Sequence, residues 1–120
     1  MKKKSFLLLL GVFFLTGCAT NNSLYSWGNY ESALYKYYKK PDSIEGYIQA
    51  LEKAILKGES NSNVAPGLYA ELGYIYLEQG DMAKAQEYFL KEKSVWPEST
   101  YIIDKLIAST SSSTSEGEDK

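Results

Sequence analysis

Carboxylates are the groups in this chain best placed to do acid–base chemistry. Glu71, Glu78 and Glu87 follow one another through the middle of the sequence, and two facing carboxyl groups can cleave a glycosidic bond, one as acid and the other as base or nucleophile. Their spacing, however, is that of residues on a helix surface, which does not close them around a substrate. The 120 residues contain no His, so the commonest general base and the commonest metal ligand are both missing. No Ser stands in a nucleophile-elbow context or beside a base. Gly67, Gly73 and Gly80 lack the spacing of a phosphate-cradling loop. The residues therefore predict a protein that is not an enzyme and binds no metal.

The remaining reactive group is the single thiol, Cys18. It follows Leu15-Thr16-Gly17, and before these come Lys2-Lys3-Lys4 and an apolar run from Phe6 to Leu15. A basic start, a short apolar run and a small residue before the cut make residues 1–17 an export signal. The run is too short to cross a bilayer core of ~30 Å as a stable helix. The segment resembles a bacterial lipoprotein cleavage site. The resemblance implies cleavage between Gly17 and Cys18, with acyl chains on the Cys18 sulphur and on its new amino group. Ala19 in place of Asp implies, in a Gram-negative cell, transport to the outer membrane. Several acyl chains, at ~0.8 kcal/mol per buried CH₂, hold a protein firmly to lipid. No cofactor is expected beyond this covalent lipid. No other cysteine is available for a disulfide, so an exported domain must rely on its core.

Composition narrows the partners. Without the three signal lysines, ten Lys face fifteen Asp and Glu, a net charge near −5, and there is no Arg. That balance argues against nucleic acid and against adhesion to anionic lipid head groups. About 100 mature residues suggest one small domain.

The elements that would position a binding surface are helical. Tyr69, Leu72, Tyr76 and Leu77 lie along one helical stripe. Gly73 within it predicts close approach by the next helix. Gly80-Asp81 predicts a left-handed stop followed by a side-chain cap. Met82, Ala85, Phe89 and Leu90 are expected inward on the second helix, which Pro97 ends. From Pro66 to Ser99, the pattern Leu72-Gly73, Tyr76, Gly80-Asp81, Ala85, Phe89, Pro97 resembles one 34-residue tetratricopeptide (TPR) unit. It departs at Tyr69, where Trp is usual, and at Glu92, where a small residue is usual. Glu92 predicts a less tightly packed helix end. The plainer alternative is a helical hairpin with a chance pattern.

Residues 18–23 read as a lipidated tether and 24–108 as the helical domain. Gly28-Asn29, Ala33 and Tyr37 repeat the spacing of Gly80-Asp81, Ala85 and Phe89, so this stretch reads as a half repeat, with Asn29 as cap and Tyr30, Leu34, Tyr37 and Tyr38 inward. Asp42 and Glu45 predict a capping box, and Gly58 the end of the helix carrying Tyr47, Ile48, Leu51 and Ile55. Ser99 is expected to cap a last helix bearing Tyr101, Ile102, Ile103, Leu106 and Ile107, which covers the end of the stack. Residues 109–120, mostly Ser, Thr, Gly and acid, predict a disordered tail. The fold is thus all-α, about five helices in antiparallel hairpins: one full TPR-like repeat, a half repeat and a capping helix. Roughly three repeats usually make an independent solenoid, so flanking helices, self-association or a partner must supply the rest.

Eleven Tyr and two Trp stand out. Tyr gives large contact area at low entropy cost, but Tyr30, Tyr37, Tyr69 and Tyr76 are expected to fill the core. Tyr47 and Tyr74 are the better candidates for exposure. By the TPR resemblance, the ligand face is Gly67, Ala70, Tyr74, Leu77 and Glu78, a mixed aromatic and aliphatic patch suited to a protein segment. Leu24-Tyr25-Ser26-Trp27-Gly28-Asn29-Tyr30, the Tyr-rich first helix and Lys40-Pro41, with the signal and the late repeat, resemble a family of small Gram-negative outer-membrane lipoproteins. Members are typically encoded beside a lipoprotein similar to the curli secretion pore. This implies an adaptor, anchored on the periplasmic face of the outer membrane, whose partner is an envelope protein such as that pore-like lipoprotein. The alternative is an activator of a peptidoglycan synthase.

Overall fold

The computed structural model describes residues 23–115. The signal segment with Gly17 and Cys18, and residues 116–120, lie outside the described residues. Five α-helices follow in order: α1 Tyr30–Lys39, α2 Ile44–Ser60, α3 Leu68–Glu78, α4 Met82–Val95 and α5 Thr100–Ser115. No strand occurs among the described residues, so the fold is all-α, as expected. Each helix packs mainly on its neighbours in sequence, and α3 with α4 makes the most extensive contact. Short connections between antiparallel helices produce that arrangement.

The core has two parts. The larger joins α2 to α3 through Tyr47, Leu51, Ile55, Leu68, Tyr69 and Leu72, with α1 laid against it. The smaller lies between α4 and α5 and holds Ala85, Phe89 and Ile103 at zero exposure. Tyr76 packs against both. The expected core tyrosines keep that role: Tyr69 is buried, and Tyr30, Tyr37 and Tyr76 are half-buried against the larger cluster.

Two local expectations at the α3–α4 hairpin hold. Gly80 takes φ +81° at the turn, a conformation L side chains rarely adopt, and the Asp81 carboxylate accepts from the Lys84 N–H at 3.1 Å. A Cβ on Gly73 would stand 2.8 Å from two ring carbons of Phe89 and 3.1 Å from the Ala85 carbonyl oxygen, so the crossing requires a glycine there.

Other expectations are corrected. Asn29 precedes α1 without a side-chain cap bond. Asp42 with Glu45, and Ser99, do not cap either; Pro41–Ser43 and Pro97–Ser99 each form a 3-10 turn leading into the next helix. In both turns the serine hydroxyl donates backwards, to the Lys40 and Trp96 carbonyls at 2.7 Å. One Pro-acid-Ser device thus serves twice. Gly58 does not end α2, which runs to Ser60; it is buried because a Cβ there would come 2.6 Å from the Val64 Cα. Tyr38 and Leu90, expected inward, are exposed, as are Tyr101 and Ile102 at the start of α5; α1 and α5 each pack chiefly on a single neighbour. Finally, α5 continues to Ser115, through the first part of the expected tail. Thr110, on the same helical face as Ile103, is 1 % exposed. Its hydroxyl accepts from Gln86 Nε2 at 3.2 Å and donates to the Ile107 carbonyl at 2.6 Å, which lets a polar residue extend the packed face.

Candidate functional site

The five residues expected to face a partner all belong to α3 or its first turn, so the start of α3 matters. Gly67 is its N-cap, with φ +90° and no side-chain cap of its own. The free N–H groups are instead satisfied from α4. Glu92 Oε1 accepts from the Gly67 N–H at 2.7 Å and Oε2 lies 3.4 Å from the Ala70 nitrogen. A carboxylate at a helix N-terminus also meets the positive end of the helix dipole. Glu92 is 2 % exposed, so the expectation of a looser helix end is corrected: the acid there ties α4 to the start of α3. Sequence could have flagged it, since Ala85, Phe89 and Glu92 are spaced as one inward stripe.

Glu71, one turn on, is a second acid clamp. The Tyr30 hydroxyl donates to its Oε2 at 2.8 Å, and the Tyr47 hydroxyl donates to its Oε1. Tyr47 is buried rather than exposed, and its ring stacks on Tyr37 with centroids 5.2 Å apart. Burial pushes the Tyr47 hydroxyl well above the usual tyrosine range, and bonding to Glu71 adds to that. Burial also raises Tyr30; a bond with Tyr47 offsets part of the rise and Glu71 adds to it. Tyr69 repeats the pattern: its hydroxyl donates to Glu59 at 2.7 Å, and burial first, then Glu59, raise it. Tyr69, Tyr88 and Tyr76 form a stacked series along α3 and α4.

These bonds settle what the acids do structurally. Glu71 is held by two phenols, while Glu78 and Glu87 face solvent, Glu87 paired with Lys91 at 3.2 Å. Among the described residues no group of three or more His, Cys, Asp or Glu could hold a metal ion. No described helix is long and apolar enough to cross a membrane.

The expected ligand face divides in two. Ala70 and Leu77 are half-buried and pack toward Phe89 and Ile103. Gly67 is exposed but its backbone is committed to Glu92. Tyr74 and Glu78 remain accessible, one turn apart on the outside of α3, with Tyr74 47 % exposed. The charge of Glu78, and its hydrogen bond with the phenol, raise the Tyr74 hydroxyl. Sequence reasoning missed a second aromatic surface on α1, where Glu31, Leu34, Tyr35 and Tyr38 line one shallow apolar hollow.

Curated proteins and solved structures yield no match to this chain. Residues 24–106, more than half of the chain, match a domain of unknown function, DUF4810, and the protein belongs to that family.

Proposed function

We propose that this protein is a lipid-anchored adaptor of the bacterial outer membrane whose TPR-like α3–α4 hairpin binds a segment of another envelope protein. The observation that carries the reading is Tyr74. It stands exposed beside Glu78 on a helix whose other tyrosines, Tyr69 and Tyr76, are buried or half-buried. An accessible aromatic ring on a rigid helix with a neighbouring acceptor is the composition of a protein-binding hot spot. The glycine crossing at Gly73 and the turn at Gly80-Asp81 support the TPR-like part of the reading. The signal and Cys18 support the anchor on the periplasmic face of the outer membrane. The reading is non-catalytic, with no cofactor beyond lipid, and a pore-like lipoprotein as the favoured partner.

A photoreactive residue in place of Tyr74, irradiated in cells and followed by mass spectrometry, tests it. The expected result is one dominant adduct to an envelope protein, absent when the same residue replaces exposed Leu56 on α2. A dominant adduct to a peptidoglycan synthase would replace the adaptor with an activator of that enzyme. Adducts of equal strength from both positions would overturn the Tyr74 face, and an adduct to a second copy of this chain would make self-association its use.

A further inference from the structure

A polar hollow of about 330 Å³ opens between α1 and α2, apart from both Tyr74 and the aromatic flank of α1. Asn29, Ser32 and Lys36 form one wall and Gly46, Gln49 and Lys53 the other. Two positive charges thus stand in it, one on each helix, and no acid lines it. The acids nearest in sequence are placed elsewhere. Glu31 lines the aromatic flank, and Glu45 and Glu52 line a separate hollow beside Tyr76. Glu71 is held by the Tyr30 and Tyr47 phenols. Asp42 stands exposed in the 3-10 turn, outside the lining. The segment before α1 does not fill the hollow either. The Leu24 carbonyl accepts from Asn63 Nδ2, and Tyr25 packs edge-on against Trp96 with centroids 6.0 Å apart.

Two further observations describe what the walls offer. The side chains of Asn29, Ser32, Lys36, Gln49 and Lys53 make no hydrogen bond or ion pair among the described residues. Gly46 has nothing within 4 Å of an added Cβ, so no neighbouring helix requires a glycine there, in contrast to Gly58 and Gly73. A glycine weakens a helix interior, and this one leaves α2 bare where another backbone can come close. The amides of Asn29 and Gln49 both donate and accept, as a peptide's own groups do, whereas a phosphate offers chiefly acceptors. The guanidinium fork that suits phosphate is absent, since the chain has no Arg. The hollow is therefore matched to a peptide that carries carboxylates.

Such a peptide occurs in this chain. Glu116-Gly117-Glu118-Asp119, beyond the described residues, sets three carboxylates within four positions and has no apolar side chain to bury. The helices pack in series, α2 on α3, α3 on α4 and α4 on α5. At about 8–10 Å for each step, α5 stands about 24–30 Å from α2. The four residues after Ser115 extend at most about 14 Å, so the hollow that they meet is that of another copy.

We infer that the α1–α2 hollow receives the acidic segment Glu116–Asp119 of a second copy of this chain, with its carboxylates on Lys36 and Lys53 and its backbone along Gly46. This goes beyond the Tyr74 reading and does not depend on it. The contact joins the groove of one copy to the tail of the next, so it extends as a row instead of closing as a symmetric pair. Ion pairs in an open groove are individually weak and screened by salt, which makes the contact reversible.

The test mixes equal amounts of the full-length chain, one unlabelled and one labelled with ¹⁵N, in detergent. A carbodiimide then joins touching carboxylates and lysine amines, and mass spectrometry reads the products. Mixed-isotope crosslinks from Glu116, Glu118 or Asp119 to Lys36 or Lys53 should exceed those to Lys57, exposed on α2 outside the hollow, by about fivefold or more. Salt at about 1 M, where the Debye length is about 3 Å, should abolish the preference. Gly46→Gln, a better helix former that fills the groove, should abolish it too without lowering the thermal midpoint. Absence of tail crosslinks, or equal yield at Lys57, overturns the proposal. So does a preference that Gly46→Gln leaves unchanged, and same-isotope products alone would place the segment on its own chain and overturn the contact between copies.

Discussion

Glu92 is the residue on which the hairpin most visibly depends, because its carboxylate is the acceptor for the uncapped start of α3. Glu92→Ala would leave the part-buried N–H of Gly67 without its partner and open a void where the buried Glu92 side chain sits, so unfolding free energy in urea should fall by about 2–3 kcal/mol. Glu92→Gln keeps one acceptor oxygen and should lose less; equal losses would show that packing, not the hydrogen bond, matters there. The phenols make a second prediction. Tyr47, Tyr30, Tyr69 and Tyr88 all hold their protons more tightly in the folded chain than tyrosine does when free, chiefly through burial. A raised folded pKa contributes stability that is fully present below the unfolded value of about 10 and is lost as pH rises beyond it. Stability should therefore fall above about pH 10, and Tyr47→Phe should flatten that fall while lowering stability at neutral pH by about 1 kcal/mol. Urea melts across the alkaline range, for wild type and variant, check both. Sequence could identify Tyr47 and Glu71 as residues but not as a pair, since 24 positions separate them and only the packing of α2 on α3 joins them.

At the scale of the element, three helical glycines that look alike in sequence have different surroundings. Gly46 in α2 has nothing within 4 Å of an added Cβ, Gly73 meets the Phe89 ring, and Gly58 meets the Val64 backbone. Gly46→Ala should stabilise by up to about 1 kcal/mol through helix propensity alone. Gly73→Ala should destabilise by about 1–3 kcal/mol, because the fully buried ring must shift. Gly58→Ala should do more damage still, since a backbone cannot rotate away. Thermal melts of the three variants rank them, and a destabilised Gly46→Ala or a neutral Gly58→Ala would contradict the geometry. Periodicity made the helices and the Gly80-Asp81 turn legible, because those depend on residues close in sequence. It failed at helix starts, where Pro41 and Pro97 impose 3-10 turns, and at the end of α5, where Thr110 accepts a hydrogen bond from Gln86 of α4. Gly58 marks no chain stop; it makes room for the neighbouring loop at Val64.

The whole molecule is unevenly built. α3 and α4 bring Leu72, Ala85 and Phe89 to complete burial, whereas α1 contains no fully buried residue. Amide hydrogen exchange should accordingly be slowest across α2 to α4 and faster in α1, which opens without global unfolding; equal protection in α1 and α3 would sink this ranking. The packing of Tyr25 on Trp96 gives that unevenness a mechanical side. Trp96 joins α4 to the turn before α5, so the first described residues grip the chain near its other end. A pull applied through the N-terminal segment is therefore met first at Leu24–Asn63 and Tyr25–Trp96, before it reaches α1. The weakest helix sits behind a clasp, and tension on the leash spreads into the sturdier hairpin instead of peeling α1 away.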